Sequence, residues 1–222
     1  MKKSKDENLK NYYENIFKRS EENSEKLFKK PNNDFKILVN KYKTTEQKHA
    51  LDLGYGAGNY TKYLLDNGFN VTSVDMVDKN IFANKCKQEI ESKKLKIFEM
   101  NINNFKPEDK IDFLVCKDVL HYLKKENVEK ILKDIINNTN KNGCHYLVVF
   151  TDINRKDEYG NPKTIKNEAN LKSEDIIKLV KKYYKNWDIN INIKTYKEKD
   201  KINKNNDYYF KANQITIIAK KI

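Results

Sequence analysis

The run Ala50-Leu51-Asp52-Leu53-Gly54-Tyr55-Gly56-Ala57-Gly58-Asn59-Tyr60-Thr61 constrains this chain more than any other stretch. A short apolar segment carrying one acid enters a turn with glycine at every second position. A helical pattern through Tyr63, Leu64 and Leu65 follows. This order predicts a buried parallel strand that turns sharply into a helix. Glycines permit positive φ and let a ligand approach the backbone without a Cβ in the way. Nucleotide-binding sheets of many kinds share such a turn, and their ligands bind at that crevice.

Two details narrow the choice. A dinucleotide fingerprint has its glycines at the first, third and sixth places, whereas here the last falls at the fifth and Asn59 follows. A second β-rich run, Val71-Thr72-Ser73-Val74-Asp75, ends in a carboxylate that can accept both hydroxyls of a ribose. No Gly-Lys-Ser/Thr phosphate loop occurs. The glycine motif with its ribose acid resembles that of the class I S-adenosylmethionine-dependent methyltransferases. The resemblance implies S-adenosyl-L-methionine as cofactor and S-adenosyl-L-homocysteine as product; no metal is expected, since no His-Glu-x-x-His or Cys-x-x-Cys occurs. It assigns the cofactor to Asp52, Gly54, Tyr55, Gly56, Gly58, Asp75 and Met76. It adds Asn101 and Ile102 at the adenine, and the backbone of Cys116 and Lys117 near the methionine end.

The 222 residues suffice for one α/β domain with a substantial core. The apolar residues, 38% of the chain, are gathered in short runs, which favours folding over disorder. No run approaches the ~18 residues of a membrane span, and the charged N-terminus lacks an apolar signal core. Cys86, Cys116 and Cys144 are odd in number and far apart, so a cytoplasmic setting fits better than a disulfide framework or zinc site. The net charge of +13 raises a nucleic-acid reading. Yet Lys, Asn, Ile and Tyr, all with A/T-rich codons, are heavily used, and Arg19 and Arg155 are the only arginines. Phosphate readers usually add arginine forks, so base composition is the simpler source of the charge.

Residues 1–30 read as a helical lead-in with Tyr12, Tyr13, Ile16 and Phe17 on one face. Packing on the domain explains that stripe as well as a lid does; small-molecule methyltransferases often fold such a segment over cofactor and acceptor. Residues 31–222 then form the methyltransferase domain, without an internal boundary. Helices are expected around Phe35 to Tyr42, Lys79 to Glu91 and from Ser173 toward Tyr183, with another ending between Lys133 and Asn142. Strands are expected at His49–Leu53, Val71–Asp75, Leu95–Met100, Ile111–Cys116, His145–Phe150, about Ile189–Ile193, and Gln214–Ala219. The sum is a doubly wound, Rossmann-like seven-stranded α/β sheet with a closing antiparallel strand and helices on both faces.

From about Ala50 to Ile218 the chain also resembles the small TehB-like, tellurite-resistance methyltransferases. The carriers are Ile111-Asp112-Phe113-Leu114 with its Leu-rich turn, and Tyr183-Tyr184-Lys185-Asn186-Trp187-Asp188. That group has a His-Arg pair in the loop before its last strand, assigned to an oxyanion. Here the loop from Thr195 to Tyr208 has neither residue, which argues against a chalcogen oxyanion acceptor. Methyl transfer mainly requires alignment and exclusion of water. His121 is the candidate general base, following the fourth strand and ordinarily titrating near neutrality. Tyr12 and Tyr13 are candidate hydroxyls or walls of the acceptor pocket, whereas His49 and His145 read as structural. The favoured function is methyl transfer to a small polar molecule. An RNA or other nucleic-acid acceptor stays open, as does an inactive cofactor-binding scaffold.

Overall fold

The computed structural model describes residues 10–11, 14–15, 31–43, 48–157, 159–164, 170–199 and 208–222. Tyr12, Tyr13 and most of the loop before the last strand therefore lie outside the described residues. Backbone contacts form two units, Met1–Val115 and Cys116–Ile222, where the sequence reading has one undivided domain after residue 30.

In the first unit, β1 (His49–Leu53) lies between β2 (Asn70–Asp75) and β4 (Ile111–Lys117), parallel to both, and β3 (Leu95–Glu99) extends the sheet beyond β2. A strand flanked on both sides and covered on its faces needs an unbroken apolar run, and residues 50–53 are all buried. α1 (Asn33–Tyr42) starts where the Asn32 side chain accepts the Phe35 N–H at 3.0 Å. It buries Phe35 between Tyr60 of α2 (Asn59–Asp66) and Phe113 of β4, at ring distances of 4.6 and 5.8 Å. Burying such a ring is worth roughly 1.5–3 kcal/mol.

The helical stripe expected from Lys79 to Glu91 divides into α3 (Asn80–Ala83) and α4 (Lys87–Glu91). Cys86 between them leaves helical geometry at φ −129. The break turns the last part of the stripe: Ile81, Phe82 and Cys86 are buried, but Ile90 is 37% exposed. Right-handed crossovers put the β1–β2 and β2–β3 connections on one face of such a sheet and β3–β4 on the other. The contact of Lys62 on α2 with Glu89 on α4, 3.4 Å, agrees with the first part. The β3–β4 connection, residues 100–110, holds only the 3-10 turn Ile102–Asn104.

The second unit begins with the end of β4 and the 3-10 turn Leu120–Tyr122. It continues with α5 (Lys125–Asn137), β5 (Thr139–Lys156), β6 (Pro162–Lys163), α6 (Ser173–Tyr183), β7 (Trp187–Glu198) and β8 (Phe210–Lys221). β8 runs antiparallel between β5 and β7, the expected closing arrangement, and β6 pairs with β5. The two units thus supply the strands and helices of a mixed α/β fold.

Sequence reading misses the length of β5 at both ends. α5 stops at Asn137, where the Thr139 hydroxyl donates to the Ile135 carbonyl at 2.6 Å. Beyond Phe150 a register shift between Thr151 and Asn154 carries β5 on to pair Arg155 with Phe210. The irregularity places Asp152 against the start of α6, where its carboxylate accepts the Ser173 N–H and hydroxyl at 3.0 and 2.6 Å. Asp175 in turn accepts the Lys172 N–H at 3.0 Å.

The Tyr183–Asp188 string serves the core of this unit. Tyr184 is fully buried and its hydroxyl meets His145 Nδ1 at 2.9 Å. His145 Nε2 meets the Thr139 hydroxyl at 2.7 Å, and the Trp187 ring lies 4.7 Å from the imidazole. Burial, with a smaller push from Lys221, lowers the His145 pKa to about 3. The unfolded chain therefore takes up a proton near pH 6.5 that the folded chain refuses until about 3. This contribution to stability is complete above the unfolded pKa and falls as pH drops through that window. Urea unfolding should show His145→Gln losing about 2–3 kcal/mol less than the parent between pH 7.5 and 4.5.

Candidate active site

In the first unit the sharp turn after β1 is held by backbone bonds. The Gly54 N–H donates to the Val74 carbonyl at 2.7 Å and the Gly58 N–H to the Tyr55 carbonyl at 2.8 Å. Gly56 and Gly58 have φ of 53 and 82, a region costly for residues with a Cβ. At Gly58 a Cβ would also lie 2.3 Å from the Phe82 ring. The Gly56 N–H donates to Asp75 Oδ2 at 2.9 Å and the Val77 N–H to Asp75 Oδ1 at 3.2 Å. The carboxylate at the tip of β2 is thus fixed by the glycine turn and by its own turn. Burial raises its pKa, with the backbone donors pulling the other way.

Asp52 has a different place. It is 2% exposed, and its Oδ2 accepts the Thr61 hydroxyl at 2.7 Å. That hydroxyl also lies 2.8 Å from Ser73 Oγ. Burial raises the Asp52 pKa to about 7. Asn101 opens the 3-10 turn, its side chain accepting the Asn103 N–H at 3.0 Å, with Ile102 buried behind it. Met76 follows Asp75 directly.

The Tyr55 hydroxyl and Asn59 Oδ1, on either side of Gly56 and Gly58, are buried atoms without a hydrogen-bond partner among the described residues. Leaving such an atom unsatisfied costs about 1–3 kcal/mol, which a polar ligand or a water at the turn would relieve. The donor set fits S-adenosylmethionine: a fixed carboxylate for two ribose hydroxyls, backbone opened by glycine, and an Asn-Ile pair for the adenine. Asn59 is missing from the sequence reading because a helix-start asparagine usually serves only its own backbone.

In the second unit, Cys116 is buried and Lys117 pairs with Asp118, which has φ 58. Asp118 Oδ1 is buried without a partner among the described residues, and burial raises that carboxyl's pKa. His121 is 2% exposed, packed on Tyr122 at 4.1 Å and edge-on to Phe150 at 5.3 Å, with its Nδ1 unpartnered among the described residues. Burial lowers its pKa to about 3, helped by Arg155 and Lys117. The imidazole is neutral at pH 7 and does not titrate where sequence reasoning expects it to. Phe150 continues to Tyr196 and Phe210, at 5.0 and 5.3 Å, and Arg155 lies 5.2 Å from the Phe210 ring. Of these groups Arg155 comes from the extension of β5 beyond its bulge, which no local pattern announces.

The mixed sheet elements and the glycine turn are those of the class I S-adenosylmethionine-dependent methyltransferase fold. The family profile described as "Tellurite resistance protein TehB" matches residues 23–218, and the chain belongs to that family. The "Probable S-adenosyl-L-methionine-dependent methyltransferase TehB" of Haemophilus influenzae (strain 10810) is 33% identical over 100 residues, 45% of this chain and 35% of that protein. The crystal structure of TehB from Haemophilus influenzae superposes with a TM-score of 0.59 at 26% identity, covering 84% of this chain and 62% of that one. A "Ubiquinone biosynthesis O-methyltransferase" of Rickettsia canadensis (strain McKiel) is 25% identical over 118 residues, 53% of this chain and 48% of that protein. The chain spans about half the length, or less, of these curated relatives.

Asp75→Ala should weaken S-adenosylhomocysteine binding by about 1–3 kcal/mol in calorimetry, as bonds to a charged acceptor are lost. Gly58→Ala should lower stability by about 1–3 kcal/mol through overpacking, read as a shifted urea midpoint with unchanged slope.

Proposed function

We propose that this protein transfers a methyl group from S-adenosylmethionine to a small polar acceptor in the cytoplasm. The observation that carries the reading is the Asp75 carboxylate tied at 2.9 Å to the Gly56 N–H. This bond couples the ribose acceptor to the turn that would admit the rest of the cofactor. The cofactor supplies an activated sulfonium methyl; the protein's part is to bind, orient and dry the reactants.

Small size of the acceptor is supported by the N-terminal segment. The Glu14 carboxylate accepts the Asp78 N–H at 2.9 Å, and Lys10 Nζ reaches Glu99 Oε1 at 2.5 Å. Glu99 Oε2 also accepts the Lys79 N–H at 3.3 Å. These contacts hold part of residues 1–30 against the ends of β2 and β3, where a lid would sit. Tyr12 and Tyr13 belong to that proposed lid as acceptor contacts. The relatives named for ubiquinone biosynthesis also act on a small molecule by their titles.

His121 enters as a neutral hydrogen-bonding group, its Nδ1 accepting from the acceptor's hydroxyl or amine. The aromatic wall of Phe150, Tyr196 and Phe210 and the Arg155 cation surround the same part of the second unit. One observation favours the nucleic-acid reading: Lys156, Lys197 and Lys211 gather around the Tyr208 ring at 4.6, 5.9 and 6.0 Å. Ammonium groups around an aromatic ring could hold phosphate and base.

Transfer of labelled methyl groups to a metabolite extract and to RNA decides between the readings. Label should enter the small-molecule fraction with little response to salt, since phosphate binding weakens steeply as salt rises. His121→Ala should lower kcat by about 10-fold, the worth of one hydrogen bond, while the parent's pH profile shows no limb near 6.5. Label in RNA alone would overturn the small acceptor, and cofactor binding without any transfer would leave a scaffold. Lys10→Glu should weaken turnover more than cofactor binding, and Glu99→Lys in the same chain should restore much of it.

A further inference from the structure

The face of the first sheet turned away from α2 holds a cavity. Register puts Leu51, Thr72 and Lys96 in one row across β1, β2 and β3. Strand alternation turns this row away from the neighbouring Asp52–Ser73 row, which meets Thr61 of α2. The β3–β4 crossover must roof this side, and it has a 3-10 turn where a helix would fill the space. What remains is a space of about 250 Å³.

Its lining is selective. Phe98 and Phe105 stand 5.8 Å apart with planes inclined at 52°, and Met100 lies beside them. Inclined rings and a thioether favour an aromatic guest. The polar rim is the Lys96–Asp109 pair at 2.8 Å together with His49. The imidazole is fixed by the Lys110 carbonyl at 3.0 Å and the Thr72 hydroxyl at 2.9 Å. The volume falls just under the ~300–1,000 Å³ of most ligand pockets, which suits one or two fused rings and excludes a nucleotide.

We propose that this cavity is a second ligand site, taking an indole-sized aromatic molecule with one hydrogen-bonding group and coupled to the adenosine end of the cofactor site. The coupling has a backbone route. Met100, in the cavity wall, donates its N–H to the Asp75 carbonyl at 2.8 Å. The Asn104 and Phe105 N–H groups donate to the Asn101 and Ile102 carbonyls at 3.0 and 3.2 Å. A guest that sets Phe105 and Met100 therefore sets the residues assigned to ribose and adenine. This coupling, unlike the cavity itself, rests on the methyltransferase reading.

The chain offers its own reporters, since Met1, Met76 and Met100 are its only methionines. With methyl-labelled methionine in the full chain, indole should shift the Met100 methyl saturably, with Kd on the order of 1 mM. S-adenosylhomocysteine should act on Met76, and saturating indole should change its affinity roughly fivefold, reciprocally. Phe105→Ala should abolish the indole shift and keep the Met76 response. Phe98→Ala, at a ring already 36% exposed, gives the same reading should the first variant fail to fold. No saturable Met100 shift, or an indole shift competed away by S-adenosylhomocysteine, would overturn the site. An unchanged cofactor affinity would overturn the coupling. If S-adenosylhomocysteine binds nowhere, the methyltransferase reading falls, while the Met100 titration still decides the cavity.

Discussion

The buried carboxyl of Asp52 is the interaction on which the first unit depends. One hydroxyl, Thr61 Oγ1, reaches both Asp52 at 2.7 Å and Ser73 at 2.8 Å, and so joins β1, α2 and β2 at a single buried point. The geometry of the glycine turn follows from that tie, because the turn is the chain between two of its members. Burial holds the pKa near 7, so the group is poised between a donor and a charged acceptor. The acid of the motif thereby acts as a fastener of the turn, and Asp75 is left as the carboxylate suited to meet a ligand.

Much of the first unit was legible because its signals are local. Short apolar runs ending in Asp52 and Asp75 place two strands, and alternate glycines demand the turn between β1 and α2. The split of the Lys79–Glu91 helix was not legible, since Ile81, Phe82, Cys86 and Ile90 satisfy a helical period whether or not Cys86 keeps helical φ. The extension of β5 was hidden for another reason. Past the bulge, the added Asn154 and Arg155 are polar and gain their pairing from β8, far along the chain. Tertiary pairing overrides local preference there.

The same limit applies to chemistry. Asp75 and the glycines announce themselves by spacing. His121 announces itself by type and position, but its protonation depends on burial by Phe150 and Tyr122 and on the charge of Arg155. Composition also misled in a specific way. A chain with two arginines gives little reason to look for a guanidinium, yet one of the two stands beside Phe210, in the extension of β5. The lysines do not behave as a uniform surface either, since three of them surround Tyr208.

β7 shows what the asparagine and lysine bias does at a sheet margin. Among the described residues β8 is its one strand partner, so its other side offers open backbone groups. The segment Ile189-Asn190-Ile191-Asn192-Ile193 is β-prone and uncharged, and Ile193 is 45% exposed, a combination that invites another chain to pair. Asp188 precedes it and Lys194 follows, with Lys197 further along the strand. Flanking charges of this kind act as gatekeepers against stacking of like strands. The lysine-rich composition thus leaves this margin guarded, and neutralising Lys194 would expose a self-association risk unrelated to catalysis.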